Sequence, residues 1–467
     1  MKLNKFIIQN SKDKLIDFSN CELSTKSYEE SSMKKNAIIY NGEKYLLKYM
    51  EKNKARHYQN LKNNKETYFN SVYSEYISCH IGKMIGLDIQ DTIIGYEKEN
   101  NKFKGIEYIP CVACKDFCKS GENIVDFERI FQIISRKERK TYNRQNFYDI
   151  LEIIEKQEFV DKNKLKENFL DMFVFDSFIG NFDRNLKNFG IIENEKNKTY
   201  RIAPIFDCAS SLHPKASRRW IKMIEKSFDN DIREKNIKEQ ALEKPNSYFK
   251  DENGIKINYS EFFKNKEFDQ NIDIAKSFIK IAPKLIEINN SGEIDKLLDS
   301  FKGIVIPERI KVITEELNFK IKEVFIPTLD IAKIVLNREI NEVIDKDYKE
   351  FERYNKNEKK EFLLKIKNTL RIQELLVENN FNVFDTKEIY QEINNFFKNT
   401  KNKNMKSVFN YLKKIDFPTD YIDHFEEKFR LEIEKSSENK EKTYNPKKTK
   451  EDEKVEKKKE FDISDNF

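Results

Sequence analysis

Asp183, Asn188 and Asp207 are the residues of this chain whose types and spacing could do chemistry together. Asn188 follows Asp183 by five residues, and Asp207 follows Asn188 by nineteen. An amide oxygen and a carboxylate are hard donors that suit Mg²⁺, which usually takes one or two carboxylates plus substrate phosphates. A second carboxylate beside such a pair could accept a hydroxyl proton or orient an attacking oxygen. Lys187, inside the same run, is placed to neutralise charge on a transferred phosphoryl group. Together these groups point to phosphoryl transfer, where catalysis is mostly positioning plus charge neutralisation. The spacing of Asp183 and Asn188 alone carries little weight in a chain so rich in Asp and Asn; the surrounding elements have to supply the rest.

Those elements are legible. The run "ENFLDMFVFDSFIG" before the loop is apolar nearly all round, as a buried helix must be. Gly180 is a natural place for it to end. Asp183 to Asn188 then forms a loop at the end of a rigid, buried element, a usual way to present functional side chains. Next come "NFGII", the polar "ENEKNK" and "TYRIAPIFD", which read as a β-hairpin. Folded symmetrically between Asn197 and Lys198, it pairs Asn188 with Asp207, roughly 5 Å apart at Cα. A slip of two residues would keep the two side chains converging.

Upstream, "KNAIIYNGEKYLLKYM" places two β-rich runs around Asn41-Gly42, a strong hairpin signal. "YFNSVYSEYISCHIGKMIGL" reads as an amphipathic helix closed by Gly86, and "DTIIGYEKENNKFKGIEYIPCVACKDF" as a second hairpin. From Phe127 onward helical patterns dominate, with 188–207 as the exception. Residues 341–433 continue in helical periodicity and read as an appended helical extension. The tail, 434–467, has almost no apolar content, cannot offset its ordering entropy, and is expected to be disordered.

Composition narrows the function. The 87 basic and 81 acidic side chains leave a net charge of only +6, which argues against a dedicated nucleic-acid binder. The six cysteines are too few and too irregular for a disulfide framework, and they suggest a reducing compartment. Cys111, Cys114 and Cys118 lie close together, but no further cluster completes a zinc site. No Sec signal opens the chain and no apolar run is long enough to span a membrane, so a cytoplasmic protein is expected.

"GNFDRNLKNFGII" followed by "YRIAPIFDCASSL" resembles the HipA-like serine/threonine kinases, whose loops read Asp-x-x-x-Lys-Asn and then Ala-Pro-x-x-Asp. "YNGEKYLLKYM", "GLDIQDTIIG" and "VACKDF" are similar to the short CtkA branch of that family. The resemblance covers roughly residues 15–330. It implies an α+β, bilobal protein-kinase-like fold: a small β-rich lobe over 1–118 and a mostly helical large lobe over 119–340. ATP and Mg²⁺ are the implied cofactors. Carried over, Asp183 resembles the catalytic base, Asn188 and Asp207 the Mg²⁺ ligands, and Lys187 the loop lysine near the γ-phosphate. Lys48 matches the strand lysine that binds the α/β-phosphates, and Glu75 is placed on the following helix to pair with it. Cys114, Lys115 and Asp116 resemble the hinge, whose backbone would read adenine. Asn185 stands where many relatives carry His.

The resemblance also sets a question. The stretch over the phosphates, Ser24 to Asn36, contains no glycine, the residue that lets backbone N–H groups approach phosphates closely. Lys34 and Lys35 could compensate as point charges, and Ser31 and Ser32 are candidate autophosphorylation sites. The expected partner is a protein substrate; an antitoxin, or a host protein after delivery to a host cell, belongs to the same family pattern. Direct nucleic-acid or membrane binding is not expected. Two rival readings stay open: a pseudokinase acting as an interaction protein, and a lipid or small-molecule kinase of related fold.

Overall fold

Alternation of side chains builds the small lobe. The computed structural model describes residues 15–26, 35–50, 70–101, 105–216, 221, 224, 230–243, 246–265, 268 and 271–345. Strands β1 (Ile16–Asp17), β2 (Glu22–Leu23), β3 (Lys35–Tyr40) and β4 (Glu43–Tyr49) come first. Tyr45, Leu47 and Tyr49 of β4 pack into one cluster with Phe18, Ile38, Cys111 and Ala113. Successive side chains of a strand point to opposite faces, so Leu46 and Lys48 take the other face. The β3–β4 turn is Asn41-Gly42, with φ of 51° and 78°, as a type I′ hairpin requires.

Helix α1 (Ser71–Met84) follows, then β5 (Thr92–Asn101) and β6 (Gly105–Lys115), the second expected hairpin. The six strands lie in the order β1-β5-β6-β4-β3-β2, with β1 parallel to β5. Within the sheet Lys48 stands opposite Lys35 on one side and Val112 on the other.

The large lobe is organised around one buried helix. Strand β7 (Glu122–Asp126) leads into α2 (Phe127–Glu138), α3 (Phe147–Lys156) and α4 (Lys162–Ile179). From Phe169 to Ile179 every residue of α4 is buried. Phe147 meets Phe169 and Phe173 of α4 at ring-centroid distances of 5.6 and 4.9 Å. Truncating a ring such as Phe173 to Ala would cost about 3–5 kcal/mol. Gly180 then ends α4 in the left-handed region, φ 67°, as the sequence leads one to expect.

Strands β8 (Gly190–Asn194) and β9 (Thr199–Ile202) form the expected hairpin. Then come α5 (Asn230–Lys238), a π-turn (Glu239–Glu243), β10 (Asn246–Lys250), β11 (Lys256–Asn258) and α6 (Tyr259–Phe262). Helices α7 (Ile272–Asn290), α8 (Glu293–Asp299) and α9 (Pro307–Lys320), a second π-turn (Ile321–Phe325) and α10 (Ile326–Asp345) complete the described elements.

Three expectations need correction. The β8–β9 register pairs Asn194 with Thr199 and Ile191 with Ile202, two residues away from the symmetric fold about Asn197 and Lys198. The turn sets this register: Lys198 N donates to Asn194 O at 2.9 Å, with Lys198 at φ 51°. A slip of two keeps every side chain on its own face, because the strand period is two. Second, β9 ends at Ile202, so Asn188 and Asp207 are not opposed within the ladder. Third, strand content after Phe127 extends beyond 188–207: β10–β11 form a further hairpin, while β7, before Phe127, adds a third strand to β8–β9. Short strands with little apolar alternation, such as "KIN" in β11, carry almost no periodic signal.

Met1–Leu336 forms one unit and Asn337–Phe467 a second. The expected helical extension (341–433, beyond Asp345) and the expected disordered tail (434–467) lie outside the described residues, as do Ser31, Ser32 and Lys34.

Candidate active site

The loop after α4 is held from below by a buried cation. Arg184 is fully buried and donates through Nε and Nη2 to both oxygens of Asp176, at 2.8 and 3.0 Å. Its remaining N–H groups go to the Asn188 carbonyl at 2.9 Å, the Phe206 carbonyl, and Cys208 Sγ at 3.4 Å. A guanidinium has five N–H donors in a fixed fork, and here all five are used. Asp176 sits on α4, Asn188 ends the loop, and Phe206 and Cys208 flank Asp207. One side chain therefore ties the helix, the loop and the Asp207 segment together.

The loop itself is tightly turned. The amides of Asn185 and Asn188 donate to the Asp183 and Asn185 carbonyls, each at 2.9 Å. Asn188 Nδ2 donates to the Asp183 carbonyl at 2.6 Å, which leaves its amide oxygen to face any cation. The orphan amides that open α2 go to loop carbonyls: Phe127 N to Phe189 O at 2.9 Å and Glu128 N to Leu186 O at 3.0 Å. Asp183 is exposed at the top of this arrangement, beside the exposed ring of Phe182.

Lys48 joins the two lobes. Its ammonium contacts Glu75 Oε2 at 3.1 Å and Asp207 Oδ1 at 2.9 Å. Glu75, fully buried on α1, also accepts from the Cys208 amide at 3.3 Å. Burial disfavours the Lys48 ammonium, but Asp207 and Glu75 outweigh it and hold its pKa well above the ordinary lysine range. Burial pushes the Asp207 carboxyl up, but Lys48 and Arg184 pull it below its ordinary value, so it stays ionised. For Glu75 burial dominates, and its carboxyl is raised despite Lys48. One cation is thus shared between two carboxylates with unequal claims on it. Asp207 adopts φ 60°, an uncommon conformation for a non-glycine residue that its surroundings must enforce.

The other residues singled out from sequence fall in different places. Lys35 stands across from Lys48 in the β3–β4 register, and burial plus the neighbouring Lys48 charge lower its pKa. Lys187 is well exposed and lies 3.6 Å from Glu128. Asn185 turns inward along the loop, accepting from the Lys187 amide at 2.9 Å. Cys114, next to last in β6, pairs with Leu46 and Thr92 and is fully buried. Lys115 and Asp116 have side chains bound to Glu43 and Lys26, at 2.7 and 2.5 Å. Their amides are engaged as well, donating to the Asp91 and Lys44 carbonyls, each at 2.8 Å.

Sequence reasoning gave Arg184 and Asp176 no role. A signal existed: Asp176 is a carboxylate in the middle of an apolar run, and a buried carboxylate demands a partner. Nothing in the spacing pointed to the Phe206 and Asn188 carbonyls.

The donor set fits Mg²⁺. It offers one ionised carboxylate, Asp207, and one amide oxygen, Asn188. Among the described residues, no group of three or more His, Cys, Asp or Glu gathers into a resident cage. Mg²⁺ commonly takes such a sparse protein set and completes its shell with phosphates and water.

Residues 27–263 match the model of the HipA-like C-terminal domain family. The chain is 32% identical over 312 residues to the serine/threonine-protein kinase CtkA of Helicobacter pylori strain J99, covering 66% of this chain and 87% of that one. The crystal structure of the Helicobacter pylori proinflammatory kinase CtkA is similar to it with a TM-score of 0.56 at 28% identity, covering 68% of this chain and 98% of that chain. The architecture is accordingly the α+β, bilobal, kinase-like one expected from the sequence. Among the described residues no helix is long and apolar enough to cross a membrane.

Proposed function

The chain belongs to the HipA-like family, and from that premise we propose that it is an ATP- and Mg²⁺-dependent serine/threonine protein kinase that also phosphorylates itself. The observation that carries this reading is the Lys48 ammonium, 3.1 Å from Glu75 and 2.9 Å from Asp207, with the Asp183 loop locked to the same segment by Arg184. Kinases need that lysine–glutamate pair and a metal-binding aspartate in place at once.

In this reading Lys48 and Lys35 receive the phosphates on the inner face of the small-lobe sheet. Asp207 and Asn188 would hold Mg²⁺, which would supply positive charge to the phosphates. Asp183 accepts the proton of the attacking serine or threonine hydroxyl. That oxygen forms its bond to the γ-phosphorus as the bond from phosphorus to the ADP oxygen breaks. Lys187, on its exposed stem, approaches the transferred group and balances its charge. Arg184 touches none of the reacting atoms; it fixes the loop that does.

The test is transfer of labelled phosphate from ATP. Asp183→Asn and Asp207→Asn are each expected to lower transfer by about 10²–10⁴-fold, the range for a general base or a comparable electrostatic group. Unchanged transfer in both variants would sink the reading. Autophosphorylation is checked by mass spectrometry of protein incubated with Mg-ATP, where Ser31 and Ser32 are the expected sites. A cytoplasmic setting and a protein acceptor belong to the same proposal; a panel of protein, lipid and small-molecule acceptors decides the acceptor class.

One observation favours a second reading, a pseudokinase that acts as an interaction protein. The glycine-free stretch Ser24 to Asn36 is joined here by occupied amides at Lys115 and Asp116. Absence of the stabilisation of about 2.7 kcal/mol expected from Mg-ATP at 100 times Kd, together with no transfer to any acceptor, would support it.

A further inference from the structure

Helix α9 touches both segments that carry the aspartates of the site. Lys320, 2% exposed, donates to the Phe178 carbonyl at 3.0 Å. That carbonyl lies in the last turn of α4, just before the Asp183 loop. The Gly180 cap lies close to the same ammonium: a Cβ added there would sit 3.1 Å from Nζ. Glu316, one turn earlier on α9, pairs with Lys320 at 3.2 Å and bonds to His213 Nε2. Arg309, near the start of the helix, donates to the carbonyls of Leu212 at 3.3 Å, Ala216 at 3.4 Å, and His213. Leu212 and His213 both have positive φ, 52° and 54°, conformations that persist only where the surroundings enforce them.

We propose that α9 is a positioning element for phosphoryl transfer, its Lys320, Glu316 and Arg309 holding the Asp183 loop and the segment after Asp207 in a constant relation. The kinetic side of the proposal rests on the kinase reading; the mechanical side rests on geometry alone. Two backbone bonds already stitch the segments, Leu212 N to Ile179 O at 3.0 Å and Phe182 N to Ser210 O at 3.3 Å. The α9 side chains brace that seam from one rigid rod.

Simple packing does not call for these residues. Buried charges cost desolvation, and well-packed apolar side chains usually stabilise as well or better. Among the described residues Arg309 bonds to carbonyls and not to a carboxylate, and burial holds its pKa down to about 10. Bonds aimed at carbonyls give what apolar packing cannot, a fixed direction for the backbone. Lys320 is followed at once by the π-turn Ile321–Phe325, a distortion often found at functional sites.

The test combines hydrogen exchange with kinetics on the full chain. Lys320→Met is expected to speed amide exchange over both 178–188 and 208–216, with Lys320→Arg restoring protection. Arg309→Lys reads the same coupling from the other end of the helix. Val312→Ala is the control: it sits on α9 but packs with Ile221, Ile224 and Ile237, and should lower Tm without loosening either segment. In Lys320→Met, kcat should fall between about tenfold and 100-fold, the effect of a small misplacement of reacting groups, with KM for ATP within about twofold. Faster exchange confined to 178–188 would overturn the proposal. So would a kcat loss no larger than that of Val312→Ala at equal loss of Tm. A wild-type chain that transfers no phosphate overturns the kinase reading, and the exchange results then decide the mechanical claim by themselves.

Discussion

Lys48 in the small lobe and Arg184 in the large lobe are both buried cations, and they serve opposite purposes. Arg184 spends every donor inside the protein, on Asp176, Cys208 and the carbonyls of Asn188 and Phe206. Among the described residues, the Lys48 ammonium is held by two carboxylates, Glu75 and Asp207. A guanidinium fork is rigid, and here it joins a buried carboxylate to two backbone carbonyls, so it acts as framework. An ammonium on a flexible stem can exchange one carboxylate for a phosphate without disturbing the chain. In the kinase reading the site is a fixed floor under an exchangeable roof, and its two cations are matched to those tasks by chemical type.

The largest expected effect breaks the floor. Arg184→Met leaves Asp176 charged and unpaired in the core, at a cost of about 3–5 kcal/mol. Arg184→Lys cannot reproduce the fork and should recover little of it. Chemical denaturation of both variants measures the loss; full stability in Arg184→Lys would contradict the comparison.

Lys48→Met should be milder for the fold, about 1–3 kcal/mol, because Glu75 can take up a proton: burial already raises its carboxyl pKa. The same variant should lose most of the stabilisation that Mg-ATP gives the wild type. Thermal shifts with and without Mg-ATP separate the two effects.

Acid offers a smaller contrast. Arg184 does not titrate in any accessible range, but Glu316 on α9 does. Burial pushes the Glu316 carboxyl up, yet His213 and Lys320 outweigh that and bring it from an ordinary 4.5 to about 2. A depressed folded pKa means that the stabilisation is complete above about pH 4.5 and is lost as pH falls toward 2. Melting curves between pH 5 and 3 should therefore steepen in the wild type relative to Glu316→Gln, whose amide does not titrate over that interval. Identical slopes would remove Glu316 from the acid response.

The smallest effect on stability is at Lys187, exposed and 3.6 Å from Glu128. Lys187→Ala should change unfolding free energy by less than about 0.5 kcal/mol while lowering transfer. A large loss of Tm instead would mean that Lys187 belongs to the floor.

Much of the frame could be read directly. Asn41-Gly42 announced its hairpin, the run from Phe169 to Ile179 announced a buried helix, and Gly180 marked its end, because turn chemistry and burial are written in local residue types. The hairpin after Asn188 was visible, but its register was not: the choice between registers two residues apart hung on Lys198 adopting a positive φ. Strand β7 escaped notice because a short segment gains its strand character from the neighbours it pairs with.

The sequence by itself determined which groups are available for chemistry and roughly where each would stand: Lys48 on a strand, Glu75 on a helix, Asp183 and Asn188 in a loop, Asp207 beyond a hairpin. Tertiary structure alone decided that one ammonium would be shared by Glu75 and Asp207, and that Arg184 would join α4, the loop and the Asp207 segment. The reason is physical. Secondary structure follows from contacts a few residues apart, whereas a buried charge is settled by whichever distant carboxylates and carbonyls the packed chain brings within 3 Å or so.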